Sequence, residues 1–341
     1  MSKIVTIALL VILSAIAPLL AQTTPIPDSS ITFFDYFFDM DVAYVIVTTD
    51  LDSLDANKFS TKEQEGLFTV TLIDSTQITF ATKVSVRGKF RRIKCEFPPL
   101  RLNFRKKDLK ALGLNSKRDN YKLVTHCKEA EGGRNAVLRE YLVYQLYQEL
   151  TDKSYRVKLF PIIYKDVDRE TKIESVGFLI ESTKELTQRL GGKENKDLNP
   201  HHSTIDPMLY EQIALFQYMV GNKDMNLKIL RNVLMINSKE NDKMVPVAFD
   251  FDFAPFVQAS YVYAQFKDKR DVERIYLGFE DNQPYLNQAV KVFLEKKDRF
   301  YEVINNFDLL PKAERRECIN YLQAFYDLIE KEDFKVEYQV N

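Results

Sequence analysis

The sequence lacks the features that mark disulfide-stapled scaffolds and several common enzyme classes. It has three cysteines and three histidines in 341 residues. Three cysteines cannot staple a chain of this length, so a hydrophobic core must hold the fold. There is no HExxH zinc motif and no GxSxG nucleophile elbow. His126 and Cys127 are neighbours, and on a strand they would point to opposite faces. Zinc, serine-hydrolase and thiol chemistry are therefore not favoured.

Long apolar runs and an excess charge of one sign are also missing from most of the chain. The formal net charge is −1, which gives no bulk attraction to nucleic acid or to an anionic membrane. After Ala21 no apolar run is long enough to span a bilayer. We therefore expect no nucleic-acid partner and no stable membrane insertion once the N-terminal segment has been removed.

The N-terminal segment is the exception to this polar pattern. Lys3 precedes an apolar stretch from Ile4 to Ala21, a pattern typical of a secretory signal that is cleaved after Ala21. The same stretch of about 18 residues would also suit an uncleaved anchor. The residue directly after the cleavage point is Gln22 and not a cysteine, which argues against a lipoprotein. We expect residues 1–21 to be a signal peptide, 22–30 a linker, and the protein to be exported to the periplasm or the extracellular space.

The rest of the chain, residues 31–341, is predicted to be one α+β domain. No Gly-, Pro- or Ser-rich linker divides it, and 45% of the sequence is hydrophobic, enough for a substantial core. Runs rich in β-branched residues predict strands in its first part, and apolar residues at helical spacing predict helices mainly in its second part. The predicted strands are Val42–Thr48, Leu67–Leu72, Ile78–Val86, Pro99–Phe104, Tyr121–Thr125, Val157–Tyr164 and Ser175–Ile180.

Turn and capping residues place the later elements. A helix of about 17 residues is predicted after Gly132-Gly133, and another at Thr183–Leu190. Asp206-Pro207 predicts a helix start and Gly221 its end. Two apolar runs, Ile229–Ile236 and Met244–Phe253, predict a hairpin. The last 55 residues are predicted to be helical, with a new helix at Pro311; their apolar residues indicate a core face, or alternatively a partner groove.

The three cysteines and one basic stretch each have two interpretations. In an oxidising compartment Cys95 and Cys127 are the expected disulfide, whereas all three cysteines could equally be buried thiols.

The stretch from Arg87 to Lys107 holds nine Lys or Arg and one Glu. It predicts either a cradle for a triphosphate or acidic substrate, or a solvated face.

Polar residues that suit a cation are concentrated between Asp224 and Asp252. Asp224 follows a helix end, Asn232 lies in the first strand of the predicted hairpin, and Asp250 and Asp252 lie near the end of its return strand. Carboxylate and amide oxygens are the donors that Mg²⁺ prefers. The hairpin would bring Asn232 close to both later acids, which predicts a metal site. The alternative is that these acids are solvated, with 249–253 forming a half-exposed edge strand.

Several motifs resemble a known family. Arg87-Gly88, the stretches 97–104 and 121–127, Gly221-Asn222-Lys223-Asp224 and Phe249-Asp250-Phe251-Asp252 are similar to a group of exported bacterial proteins. That group in turn resembles, more distantly, the spore-coat CotH-type kinases, which are atypical members of the protein-kinase-like fold. The resemblance covers roughly residues 80–260. It implies a strand-rich N-terminal lobe at about 31–180 and a helical C-terminal lobe at about 181–341.

The resemblance also implies roles for individual residues. Asp224 resembles the catalytic Asp that positions a substrate hydroxyl, while Asn232, with Asp250 or Asp252, resembles the metal ligands. Further implied roles in holding ATP fall on the phosphate-binding bases Arg101 and Lys122, on Glu140 as the acid that braces such a base, and on Glu181 at the strand leading to the adenine site. A Gly-rich phosphate loop is absent, and Arg101 stands where a Lys is expected.

These observations lead to three functional hypotheses. The first is an exported kinase that uses ATP and Mg²⁺ to phosphorylate Ser or Thr of envelope or secreted proteins. The second is a non-catalytic, pseudokinase-type module that binds a peptide or glycan. The third is a structural envelope protein. The sequence does not specify the oligomeric state.

Overall fold

The computed structural model describes residues 30–128, 131–239, 242–263, 273–332 and 334–336. The predicted signal peptide and nearly all of the predicted linker lie outside the described residues. Within the described residues, no helix combines the length and apolar character that crossing a membrane requires.

The first half of the chain forms a closed barrel of seven strands. Neighbouring strands pair in the order β1-β2-β3-β4-β5-β7-β6, and a parallel pairing of β1 with β6 closes the ring. All seven predicted strands are present, with ends shifted by a few residues. They are β1 (Val42–Thr49), β2 (Gln64–Leu72), β3 (Gln77–Val86), β4 (Leu100–Phe104), β5 (Asn120–Val124), β6 (Val157–Lys165) and β7 (Lys172–Ile180).

Short helices accompany the strands, and the first of them fills the barrel. Helix α1 (Phe33–Phe38) begins with a capping box in which Thr32 and Asp35 bond each other's backbone. Phe33 and Phe37 are fully buried among barrel rings. Three more short helices lie between strands: α2 (Leu51–Ala56), α3 (Arg91–Lys94) and α4 (Lys106–Ala111).

Helix α5 (Glu131–Leu150) lies between the barrel and the helical half. Its buried residues belong to a second core, which is separate from the barrel interior and extends to the C-terminal helices. The described residues therefore form two hydrophobic cores, and strands β6 and β7, which contribute side chains to both, link them.

The second half contains helices around a small sheet. Strands β8 (Gly192–Asn195), β9 (Val233–Ser238) and β10 (Val245–Ala248) form an antiparallel sheet in the order β10-β9-β8. The predicted hairpin is confirmed as β9 and β10, but 229–232 and 249–253 lie outside the strands, so the edge-strand interpretation of 249–253 is wrong. The helices are α6 (Thr183–Arg189), α7 (Pro207–Val220), α8 (Ser260–Tyr263), α9 (Gln283–Asn305) and α10 (Lys312–Ile329).

Capping residues set the helix ends as expected. The Asp206 side chain accepts the Leu209 N–H at 3.0 Å, and Pro207 is the first residue of α7. Pro311 precedes α10. The apolar faces of α9 and α10 join the second core through residues such as Phe293, Phe300, Leu322 and Phe325, which confirms the core interpretation.

A disulfide joins Cys95, just after α3, to Cys127, with Cα atoms 4.5 Å apart. This is the pair expected from the sequence. Cys318 in α10 is a buried free thiol. The alternative of three buried thiols is therefore wrong.

Candidate functional site

Asp224 is positioned by the end of α7. Gly221 ends the helix with a left-handed φ of 74°, a conformation that glycine adopts without steric cost. The next residue, Asn222, donates its N–H to the Gln217 carbonyl at 2.8 Å, and its side-chain oxygen accepts the Asp224 N–H at 3.0 Å. This Asx turn fixes the backbone that carries the carboxylate.

Asp224 and Asn232 contact each other directly. The Asn232 amide donates to one Asp224 carboxylate oxygen at 2.9 Å, and Arg231 Nε lies 3.2 Å from the other. Mutual backbone bonds of 2.9 Å between Asn226 and Arg231 close the loop between them. The eight-residue spacing is therefore accommodated by a compact turn that brings the amide back to the acid.

Three phenylalanines anchor the segment that carries Asp250 and Asp252. Phe251 is fully buried, 4.9 Å from the Tyr144 ring. The flanking rings pack elsewhere: Phe249 lies 5.8 Å from Tyr155, and Phe253 lies 5.1 Å from Phe90. Because the aromatic residues hold the segment from different sides, the intervening acids have fixed places.

The two acids have different surroundings. Asp250 has a left-handed φ of 62°, and its N–H donates to the Tyr144 hydroxyl at 2.9 Å. Asp252 is buried, and one of its oxygens accepts a bond from the Tyr261 hydroxyl at 2.7 Å. Asn232 also has a positive φ, of 57°. Non-glycine residues in this region are uncommon and concentrate at functional sites.

The three carboxylates affect one another electrostatically. Burial, together with the charges of Asp250 and Asp224, raises the pKa of Asp252 to about 7. Burial also raises the pKa of Asp224; Arg231 and Asn232 oppose this effect, whereas Asp250 adds to it. The acids therefore share a poorly solvated region of negative potential, which a cation would stabilise.

Glu140 on α5 faces these acids and pairs with Arg91. Its Oε2 lies 3.8 Å from Arg91 Nη1, and Oε1 has no hydrogen-bond partner among the described residues. Burial raises the pKa of Glu140 well above its usual value, and the charge of Asp252 contributes. Glu140 thus pairs with Arg91, and not with Arg101 or Lys122, the phosphate-binding bases that the resemblance implies.

Sequence reasoning missed the role of Arg91. The residue lies in α3, where its Nη2 donates to the Thr125 carbonyl at 2.6 Å. The only sequence signal was its membership of the basic stretch between Arg87 and Lys107. Arg87 begins the same stretch; burial lowers its pKa, and the charges of Asp250 and Glu140 oppose this effect.

Arg101 and Lys122 lie side by side on the barrel wall. They are paired in register on β4 and β5. Burial, together with the charges of Arg87 and Arg101, lowers the pKa of Lys122 to about 8, and the charge of Asp250 opposes this effect. Both bases line a cavity of about 220 Å³ that also includes Glu181. This volume is below the usual range for small-molecule pockets, roughly 300–1,000 Å³.

The Glu181 side chain is engaged in structural ion pairs. It is buried, and its oxygens lie 2.9 Å from both Arg156 and Arg189. Its N–H donates to the Arg156 carbonyl at 2.9 Å. Only its place along the cavity wall agrees with the predicted cofactor-binding role, because the carboxylate is already bound by two arginines.

The oxygen-bearing side chains at the site suit a hard cation chemically, but they are few for a metal site. Asn232, Asp250 and Asp252 offer amide and carboxylate oxygens, as Mg²⁺ prefers when it also keeps several waters. Across the described ranges, no group of three or more His, Cys, Asp or Glu side chains is arranged to hold a metal ion. An ion here would depend on two carboxylates, an amide and ligands from outside the protein.

Comparisons with known proteins find likeness among solved structures but not among sequences. No family model and no curated protein matches the sequence. Among solved structures, the chain matches the crystal structure of a Helicobacter pylori proinflammatory kinase, CtkA, with a TM-score of 0.38 and 9% sequence identity. The match covers 68% of this chain and 88% of the kinase chain. The functional assignment therefore depends on this chain's own residues.

Proposed function

We propose that this protein is an exported kinase of the CotH-like type that binds ATP with Mg²⁺ and transfers a phosphoryl group to Ser or Thr hydroxyls of other exported proteins. The observation that carries the proposal is the contact between Asp224 and Asn232 beside Asp250 and Asp252. A catalytic Asp, a metal-binding Asn and a metal-binding Asp after a hairpin are the parts that protein kinases use for phosphoryl transfer.

The residues divide the work by position. Asp224 accepts a hydrogen bond from the acceptor hydroxyl and orients it, and Asn232 holds the carboxylate in place. Arg101 and Lys122 bind phosphate oxygens, and the lowered pKa of Lys122 favours an anionic partner. Asn232 with Asp250 or Asp252 would hold Mg²⁺, which when bound supplies charge neutralisation at the phosphates.

The ion pair between Glu140 and Arg91 interacts electrostatically with Asp250 and Asp252 of the same site. A buried ion pair is costly unless both partners are well placed, and removing one partner leaves an uncompensated buried charge. In protein kinases a helix Glu braces a phosphate-binding Lys. Here α5 supplies the Glu and α3 supplies an Arg, so we assign Arg91 to the positively charged wall of the nucleotide site.

Export is supported by the disulfide between Cys95 and Cys127. Disulfides persist in oxidising compartments and are rare in reducing ones. Together with the N-terminal pattern, this supports action in the periplasm or the extracellular space on protein or peptide substrates.

The test measures nucleotide binding and transfer separately. A ligand at roughly 100 times its Kd stabilises the fold by about 2.7 kcal/mol. ATP with Mg²⁺ should therefore raise the melting temperature, and Asp250→Asn should reduce that rise. Asp224→Asn should lower the rate of phosphoryl transfer from radiolabelled ATP by roughly 10²–10⁴-fold while the protein still binds nucleotide.

The matched control is Asp298→Ala, which removes an exposed carboxylate on α9. It should change neither the melting shift nor the transfer rate. Transfer that survives in Asp224→Asn at the wild-type rate would show that the catalytic assignment is wrong.

One observation favours a second candidate, a pseudokinase-type binding module. Both carboxylate oxygens of Asp224 already have partners, Asn232 and Arg231. An acid held in this way serves as a structural element as well as a base. A wild-type protein that shows a melting shift with nucleotide but transfers phosphate to no protein would be such a module. Freeing one Asp224 oxygen by Arg231→Ala would then produce no transfer either.

A further inference from the structure

A cavity of about 350 Å³ begins at the residue after Asp224. One wall is the segment 225–228 and the opposite wall is 199–202, after β8. Tyr210 of α7, Leu277 and Phe279 complete the lining. The acid proposed to orient a hydroxyl and this cavity therefore belong to one continuous piece of backbone.

Aromatic rings give the cavity its chemical character. Tyr210 and Phe279 stack with centroids 4.6 Å apart, and His202 lies 5.5 Å from Phe279. The Tyr210 hydroxyl donates to the Leu277 carbonyl at 3.1 Å, which fixes its ring. Packed rings with polar edges are well suited to another aromatic side chain, which stacks or meets them edge to face.

Exposed apolar side chains neighbour two of the residues that line the cavity. The Asn199 N–H donates to the Lys228 carbonyl at 2.8 Å and ties the two walls together. Leu198 and Ile229 directly flank this bonded pair and are 66% and 56% exposed. Large apolar side chains exposed together beside a pocket mark an interaction surface.

A second cavity shares part of its lining with the first. It has a volume of about 540 Å³, shares Pro200 and His201 with the first, and is lined mainly by polar residues such as Asn195 and Asn237. An aromatic pocket beside a larger polar cavity suits an extended polypeptide, which places one side chain in the pocket and the adjoining residues against the polar lining. A small free molecule would need only one of the two spaces.

We propose that the aromatic cavity is a specificity pocket for the acceptor polypeptide, which binds a Phe or Tyr side chain close in sequence to the hydroxyl at Asp224. The inference deepens the proposed function and depends on it for the fate of that hydroxyl. Peptide binding itself does not require phosphoryl transfer, so the two can fail separately.

The experiment uses Ser-centred synthetic peptides in which a single Phe is stepped through the other positions, with Ala in its place as reference. Binding to the full chain is measured by fluorescence anisotropy, and transfer from ATP is measured on the same set. We expect one position at which Phe improves binding by about tenfold or more over Ala. His202→Ala and Phe279→Ala should abolish that preference.

Two further variants keep the test decisive. Phe59→Ala removes a side chain that is 71% exposed. Phe59 lies between α2 and β2 and does not line the cavity, so this variant should leave the preference unchanged. Leu227→Trp fills the cavity, and it serves where Phe279→Ala lowers the melting temperature. It too should abolish the preference.

The outcomes separate the two proposals. A positional preference for Phe that the pocket variants abolish, without transfer to any peptide, would refute the kinase proposal and uphold the pocket. Transfer to peptides with no preference for an aromatic residue, or with a preference that Leu227→Trp and His202→Ala leave intact, would overturn the pocket while the kinase proposal stands.

Discussion

Removing the disulfide between Cys95 and Cys127 should affect both stability and the site. Cys95 follows α3, whose Arg91 pairs with Glu140, and Cys127 accepts backbone bonds from Glu96 and Phe97. The bond therefore fastens the short helix that carries Arg91 against the end of β5. Without it, this helix of only four residues is held by the backbone bonds to Cys127 and by the contacts of Arg91.

The expected magnitude follows from the loop that the disulfide closes. The cysteines are 32 residues apart. Restricting the unfolded chain by a loop of this size is worth about 4 kcal/mol on the chain-entropy model. Reduction, or the double change of Cys95 and Cys127 to Ala, should lower the free energy of unfolding by about this amount. Because α3 is also released, nucleotide binding should weaken.

Urea unfolding with and without a phosphine reductant measures the first effect. The double variant is its own control, since the reductant should not change its stability further. Cys318 is free in both proteins. A loss of less than about 1 kcal/mol on reduction would refute the reasoning, as would a double variant that is as sensitive to reductant as the wild type.

Further substitutions test three individual features of the fold: a buried histidine, a helix-ending glycine and a helix N-cap. Burial lowers the pKa of His126 from 6.5 to about 4, so only the unfolded chain takes up a proton in this range and stability falls as the pH falls from 6.5 to 4, by up to about 3 kcal/mol. His126→Phe should flatten this part of the profile of urea stability against pH, and an unchanged slope would contradict the assignment. Gly221→Ala should cost about 1–3 kcal/mol, because φ is positive and the new Cβ would meet Tyr321. Gly88→Ala has a similar φ but open space around its Cβ, so thermal melts should show a smaller loss, and equal losses would contradict the steric argument. Asp206→Ala removes the N-cap of α7 and should cost about 1 kcal/mol in urea unfolding, whereas Asp206→Asn should cost little.

The elements of the fold were predictable where local signals define them. β-branched runs located the barrel strands, and Asp206-Pro207 and Gly221 gave the limits of α7 because capping depends on residues within one turn. The closure of the barrel was not predictable, since β1 meets β6 in a parallel pairing between residues more than a hundred positions apart. Helix α1 was also missed, because its phenylalanines suit a strand equally well.

The same distinction applies to the candidate site. Asp224 and Asn232 were proposed from nearby sequence, and the structure brings them into contact because one short loop joins them. The partner of Glu140 could not be inferred, because the ion pair with Arg91 joins residues on two elements that meet only in the folded chain. For Glu181 the sequence suggested a cofactor-binding role, but it could not show that Arg156 and Arg189 pair with this carboxylate in the fold.

The energetics of the acids argue against a purely structural role for the cleft. A carboxyl group whose pKa is raised in the fold is destabilising at neutral pH, because the unfolded chain carries the charge at lower cost. Asp224, Asp252 and Glu140 all have raised pKa values, caused first by burial. Buried Phe251 and its aromatic neighbours hold the segment in place despite this cost. The proposed binding of a metal-bearing partner would offset this cost, because a nearby cation stabilises the charged form of each acid.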